Sequence, residues 1–211
     1  TKVYGDYWQQ KFRLADLLAE RGERRIGLNA VAHANAFRSD GSYTWAQFIA
    51  DPWNPKNPDF EFQNTFDRIQ MGDRRFQYGE HVSEKALTEL DALLQECRSR
   101  GIYVAAFLPP FAHVVFERMQ SMPKQYGYLR EIEPSLRLVF DKSGFSLNDF
   151  SDLARLGASD KETIDGFHGS EKAYLRLFLR TIESDPQLKT FARDPIFLRE
   201  RLDAAAGDHV V

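Results

Sequence analysis

The chain has 211 residues, 43% of them apolar, a formal net charge of -3 and a single cysteine, Cys97. That length fits one domain, or one domain with an appendage. There is no basic excess to release counterions from a nucleic acid, one cysteine forms no internal disulfide or cysteine metal cluster, and no apolar run approaches the ~18 residues of a membrane span.

Apolar residues at Trp8, Phe12, Ala15, Leu18 and Ala19 predict a helix over 7–20, closed by Gly22. A short strand is expected over 26–31. Residues 35–43 read as a loop, with Asp40-Gly41-Ser42 as a turn signal. Pro52, Pro55 and Pro58 forbid regular structure over 51–59. Trp53 in that excursion is either packed beneath it or exposed for binding. A short helix over 60–71 and a loop over 72–79 follow.

The next helix has Ser83 as N-cap, Glu84 in its first turn, and Ala86, Leu90, Leu93, Leu94 and Cys97 on one face. Cys97 reads as a buried small hydrophobe, and Gly101 stands at the C-terminal position. Ile102 to Leu108 is nearly all apolar and reads as a strand buried on both faces, as in a parallel sheet, stopped by Pro109-Pro110. Helices are expected over 112–122 and 128–140, with Pro134 kinking or restarting the second. A strand over 145–150 and a loop over 151–164 come next. A last core helix runs from Ser170 to Ser184 along Tyr174, Leu177, Phe178 and Ile182. Asp185-Pro186 breaks it, and Asp194, Pro195 and Gly207 bound a further helix. This order predicts an α/β sandwich with a mainly parallel sheet over 1–184 and a helical extension over 185–211.

Chemistry in such folds gathers at the carboxyl ends of the strands. Three segments should converge there: Pro109 to His113, Asn148 to Asp152, and the stretch Thr163-Ile164-Asp165-Gly166-Phe167-His168-Gly169-Ser170. A carboxylate beside an imidazole fixes its tautomer and stabilises the imidazolium, as a general base serving a hydroxyl requires. The competing reading makes Asp165 a turn cap and His168 an ordinary loop residue. His33, His81, His113 and His209 show no metal-binding spacing, and no glycine-rich phosphate loop is present, so no metal or cofactor is expected. His113 either lines the cleft or is a solvated helix-start residue. Asp149 and Asp152 suit a carboxylate pair less well than loop anchoring. Trp45, Trp53 and Tyr78 lie in expected loops and are either core or a stacking platform for sugar.

Three stretches carry a family resemblance. They are Gly101-Ile102 leading through Phe107-Leu108-Pro109-Pro110-Phe111, then Asp149-Phe150-Ser151-Asp152, and then Asp165-Gly166-Phe167-His168-Gly169-Ser170-Glu171 before a helix. With Phe37-Arg38-Ser39-Asp40-Gly41-Ser42, the chain resembles the C-terminal portion of a bacterial SGNH (GDSL-type) hydrolase-like protein over 37–182. The resemblance implies a three-layer α/β/α sandwich of flavodoxin-like form. It implies an acyl-ester hydrolase or O-acyltransferase acting on acetylated carbohydrate or cell-envelope glycan. It further implies a parent in the cell envelope or periplasm, often membrane-anchored. His168 would be the general base and Asp165 its orienter. Pro110, His113 and Asp149 would stand where substrate binds, with Trp53 a further candidate contact.

The family's Gly-Asp-Ser nucleophile turn has no match. Gly5-Asp6-Tyr7 and Gly72-Asp73-Arg74 lack the serine, and Ser42 sits in a turn signature. The first strand and its serine are therefore expected upstream of Thr1. The missing strand would leave sheet edges to be completed by that segment or by a homo-oligomer. The alternative is a non-catalytic, carbohydrate-binding or accessory module of the same fold.

Overall fold

The computed structural model describes residues 2–11, 13, 15, 25–26, 35–38, 43–45, 53–57, 59–190 and 194–208. The chain divides into two compact units, Thr1–Asn57 and Pro58–Val211.

In the first unit, helix α1 spans Lys2–Trp8, beginning before the expected 7–20, of which most of 12–20 lies outside the described residues. Gln10 takes a left-handed φ of 55° and ends the helical path early. Trp8 is exposed rather than on a packed face. Phe12, Leu18, Ala19 and Gly22 lie outside the described residues. Strands β1 (Arg25–Ile26), β2 (Asn35–Arg38) and β3 (Tyr43–Trp45) form an antiparallel sheet in that order. The expected loop over 35–43 is thus largely a hairpin, and Trp45 lies in a strand. Phe37 pairs with Tyr43 across it, rings edge-on at 4.9 Å. Such a pair contributes roughly 0.2–1 kcal/mol and compensates for the weak alternation of Asn-Ala-Phe-Arg. The turn signal Asp40-Gly41-Ser42, the expected strand beyond Ile26, and His33 lie outside the described residues. Trp53 is half-buried in a turn over 53–57.

The second unit opens with a 3₁₀ turn, Phe60–Phe62, and helix α2, Gln63–Met71. Helix α3 spans Glu84–Ser99, and the Ser83 hydroxyl accepts from Ala86 N–H as its cap. Such a cap stabilises a helix by about 1 kcal/mol. Gly101 follows it with φ 69°. Strand β4 is Ala105–Leu108, helix α4 is His113–Gln120 and helix α5 is Ile132–Ser143. Pro134 sits in the first turn of α5, where its missing N–H costs nothing, so the helix starts there and is not kinked. Strand β5 is Ser146–Asp149 and pairs parallel with β4, Ala105 opposite Ser146 through Leu108 opposite Asp149. Two 3₁₀ turns, Leu153–Leu156 and Asp160–Glu162, occupy the expected loop. Helix α6 is Glu171–Ser184, capped by Ser170; α7 is Pro186–Lys189; α8 is Pro195–Ala204, capped by Asp194.

Leu94 of α3 and Val139 and Phe140 of α5 pack on Leu147, with Val104 and Ala106 alongside. Ala173 and Leu177 of α6 pack with Phe150, Leu153 and Leu156. Cys97 is only half-buried. The two helices of the extension are integrated into the unit: Leu188 and Leu198 pack on Leu179, Ile182 and Leu202. Asp185 locks their start. Its carboxylate accepts from Tyr103 and Ser146 hydroxyls, both at 2.6 Å, and from Gln187 and Leu188 N–H.

The result is a mixed α/β fold with a two-stranded parallel sheet among the described residues. The expected strand over 102–108 is shortened to β4 and is not buried on both faces: Phe107 is 41% exposed, and Ile102, ahead of the strand, is also exposed. A two-stranded sheet covers only part of an all-apolar strand. No described helix is long and apolar enough to cross a membrane.

Candidate active site

Thr163 and Gly169 form an antiparallel bridge, and Ile164 N–H donates to His168 O at 3.0 Å. Residues 163–169 are therefore a closed loop with Asp165 and His168 at its tip. Gly166 is required there. Its φ is +83°, and a Cβ would lie 2.6 Å from Val115 Cγ2. The carbonyl of Gly166 accepts from Ala112 N–H at 2.8 Å. This bond moors the loop to the segment leaving β4. Phe111 also bridges to Asp152 beyond β5, so the three expected segments do meet at the carboxyl ends of the strands.

Asp165 holds its partner at both ends. Oδ2 lies 2.8 Å from His168 Nδ1, and Oδ1 accepts from the backbone N–H groups of His168 at 2.9 Å and Phe167 at 3.3 Å. Burial pushes the Asp165 carboxyl up, but the hydrogen bonds and charge of His168 outweigh it. The net shift is below the usual carboxylate value. An ionised Asp165 accepts, so Nδ1 carries the proton and Nε2 presents a lone pair. Among the described residues Nε2 has no hydrogen-bond partner. The imidazole is 56% exposed and the Asp165 side chain 22%. The arrangement can take a proton at Nε2 and hold the resulting imidazolium.

The loop rests on a buried ion pair. Glu162 and Arg176 make two parallel bonds, 3.0 and 3.1 Å, and Glu162 O accepts from Ser170 N–H. On its other side Thr65 Oγ1 lies 3.0 Å from Asp165 O. Neither support carries a local signal in the sequence, because each joins distant segments through unremarkable residue types.

The other candidates separate. Pro110 is fully buried and offers no surface to a substrate, which corrects its expected binding role. His113 starts α4 and places Nδ1 3.1 Å from both carboxylate oxygens of Asp152, with Nε2 3.4 Å from Glu117. Asp149 accepts from Ser151 and pairs with Arg155 at 2.9 Å, so it anchors its loop. Trp53 belongs to the first unit. Tyr78 is exposed and its hydroxyl donates to Gln70 O. Gly5-Asp6-Tyr7 lies inside α1, with Asp6 paired to Lys11, so it is not a strand-to-helix nucleophile turn. Gly72-Asp73-Arg74 follows α2, with Gly72 its left-handed C-cap. Ser42 and His209 lie outside the described residues. Two described serines of the converging segments are committed elsewhere. Ser170 caps α6 and donates to Asp208 O, and Ser151 donates to Asp149.

The chain matches no protein-family model, and no curated protein or solved structure matches it at a significant level. Among the described residues no group of three or more His, Cys, Asp or Glu is arranged to hold a metal ion.

Proposed function

We propose that this chain carries the base half of a serine esterase or O-acyltransferase site of the SGNH type, within a three-layer α/β/α sandwich. The observation that carries the reading is the Asp165–His168 couple: a 2.8 Å bond, an Nε2 without a partner among the described residues, and a position at the strand ends. A serine hydroxyl outside the described residues attacks the ester carbonyl carbon, and its proton passes to His168 Nε2. The tetrahedral intermediate collapses, the C–O bond to the leaving alcohol breaks, and the same proton goes to that oxygen. Water or an acceptor hydroxyl then repeats the sequence on the acyl-enzyme. Asp165 keeps Nδ1 protonated and stabilises the imidazolium. By the resemblance, the substrates are acetylated carbohydrates or envelope glycans, and the parent resides in the cell envelope or periplasm.

The test is aryl acetate hydrolysis by the protein expressed from its complete natural reading frame. Asp165→Asn should lower kcat by roughly 10³–10⁴-fold with KM little changed, because the wrong tautomer is then favoured. Full activity in that variant would overturn the assignment.

A second reading is favoured by one observation: no described serine serves His168. On it, the domain is a non-catalytic module that holds carbohydrate for a partner enzyme. Sugar binding weakened by Trp53→Ala, with no ester turnover by the complete protein, would select it.

A further inference from the structure

Arg68 of α2 has a side chain only 12% exposed. Its guanidinium carbon lies 5.1 Å from the centroid of the Phe167 ring and 5.4 Å from that of Phe76. Phe76 meets Phe167 edge-on at 5.4 Å. On its other neighbour, the Phe167 ring sits 4.4 Å from the imidazole of His168, tilted by 41°. The same guanidinium donates to Thr65 Oγ1 and lies 3.6 Å from Asp59 Oδ2. Asp59 in turn accepts from Thr65 N–H at 3.0 Å, and Thr65 Oγ1 is within 2.7 Å of Asp59 Oδ2. Thr65 Oγ1 also reaches Asp165 O.

A largely buried cation needs a reason, since taking it from water costs several kcal/mol unless it is paired and hydrogen-bonded. Arg68 is paired, and its guanidinium also lies over the Phe76 and Phe167 rings. A guanidinium suits this because it stacks and donates in a fixed plane at once, which a lysine ammonium cannot do. Two routes thus run from Arg68 to the couple. One passes through Phe167 to the His168 ring. The other passes through Thr65 to the backbone of Asp165.

We infer that Arg68 is a positioning residue for His168: it clamps the Phe167 ring directly and the Asp165 carbonyl through Thr65, so that Nδ1 stays on the carboxylate. The catalytic meaning of this clamp rests on the esterase reading, but its physical content does not. The experiment is therefore ¹⁵N NMR of the histidine side chains in this chain, with hydrolysis by the complete protein measured separately.

In the unsubstituted chain His168 should be the Nδ1–H tautomer, with a slowly exchanging Nδ1 proton. Arg68→Met should raise the minor tautomer severalfold and speed loss of that proton by tenfold or more. Phe167→Leu should do the same, and Arg68→Lys should recover only part of the effect. Leu202→Ala, in α8 and packed on Leu179 and Ile182 of α6, should lower Tm while leaving the His168 signals unchanged. If Arg68→Met does not fold, Phe167→Leu decides. Unchanged His168 signals in the folded Arg68 or Phe167 variants would overturn the inference, as would an equal change in Leu202→Ala. Shifted His168 signals without ester turnover by the complete protein would leave the clamp standing and remove the esterase reading alone.

Discussion

At the scale of single residues, three described imidazoles of the second unit meet carboxylates, and beside the exposed His81–Glu131 pair the contacts of His168 and His113 do different work. Among the described residues His168 has one acid, Asp165, and no hydrogen-bond partner on its second nitrogen. His113 is surrounded: Asp152 on Nδ1, Glu117 of its own helix near Nε2, and Asp160 accepting from its backbone N–H. The hydrogen bond and charge of Asp152, helped by Glu117 and Asp160, raise His113 above its ordinary value of 6.5. A raised imidazole contributes stability that is fully present below its unfolded value and is lost as pH rises through the folded one. Asp152→Asn should therefore lower the His113 value seen by NMR and shrink the stability lost above neutrality. An unshifted His113 titration would contradict this. Asp165 has the opposite sign. Its lowered carboxyl stabilises the loop above the ordinary carboxylate range, and that stabilisation is lost on acidification through the folded value. The Asp-x-x-His couple was legible in the sequence because both partners sit in one seven-residue loop. Arg68 was not, because its partner ring is nearly a hundred positions away and a helical arginine reads as solvated surface.

At the scale of elements, the loop over 163–169 is held by backbone geometry as much as by side chains. Gly166→Ala should cost about 1–2 kcal/mol for the left-handed backbone alone, plus the contact with Val115. Denaturant unfolding should show the loss. Adding Val115→Ala should relieve the steric part and leave the backbone part, and full recovery in the double variant would contradict the assigned φ. The capped helices were legible wherever a serine or aspartate precedes an apolar stripe, as at Ser83, Ser170 and Asp194. The hairpin over 35–45 was not, because Asn35-Ala36-Phe37-Arg38 has no strict alternation and its strands are defined by cross-strand pairing. The break after the first helix was not legible either. Its apolar spacing continues past Trp8, but the backbone at Gln10 does not.

At the scale of the whole molecule, the consequential feature is β4. The apolar run from Ile102 to Leu108, of which β4 takes only Ala105–Leu108, predicts full burial, yet the parallel sheet among the described residues holds only β4 and β5. Phe107 of β4 and Tyr174 and Phe178 of α6 leave apolar surface exposed, with the first two rings 6.5 Å apart. Exposed apolar surface beside a strand edge favours strand addition or self-association. In size-exclusion chromatography with light scattering, this chain alone should therefore self-associate, and Phe107→Lys should reduce the association. A well-behaved monomer at all concentrations would show that the edge is already covered. Sequence could reveal the mismatch only in part, since an apolar run states how much burial a strand wants and not which strands supply it.

The central claim is that His168, held by Asp165, activates a hydroxyl for acyl transfer. Its most direct test is labelling of the complete natural protein with a serine-reactive fluorophosphonate. One serine should be labelled, and His168→Ala should reduce the labelling rate by at least about 10³-fold without unfolding the domain. No labelling of the folded complete protein, or labelling that persists in His168→Ala, would contradict the claim.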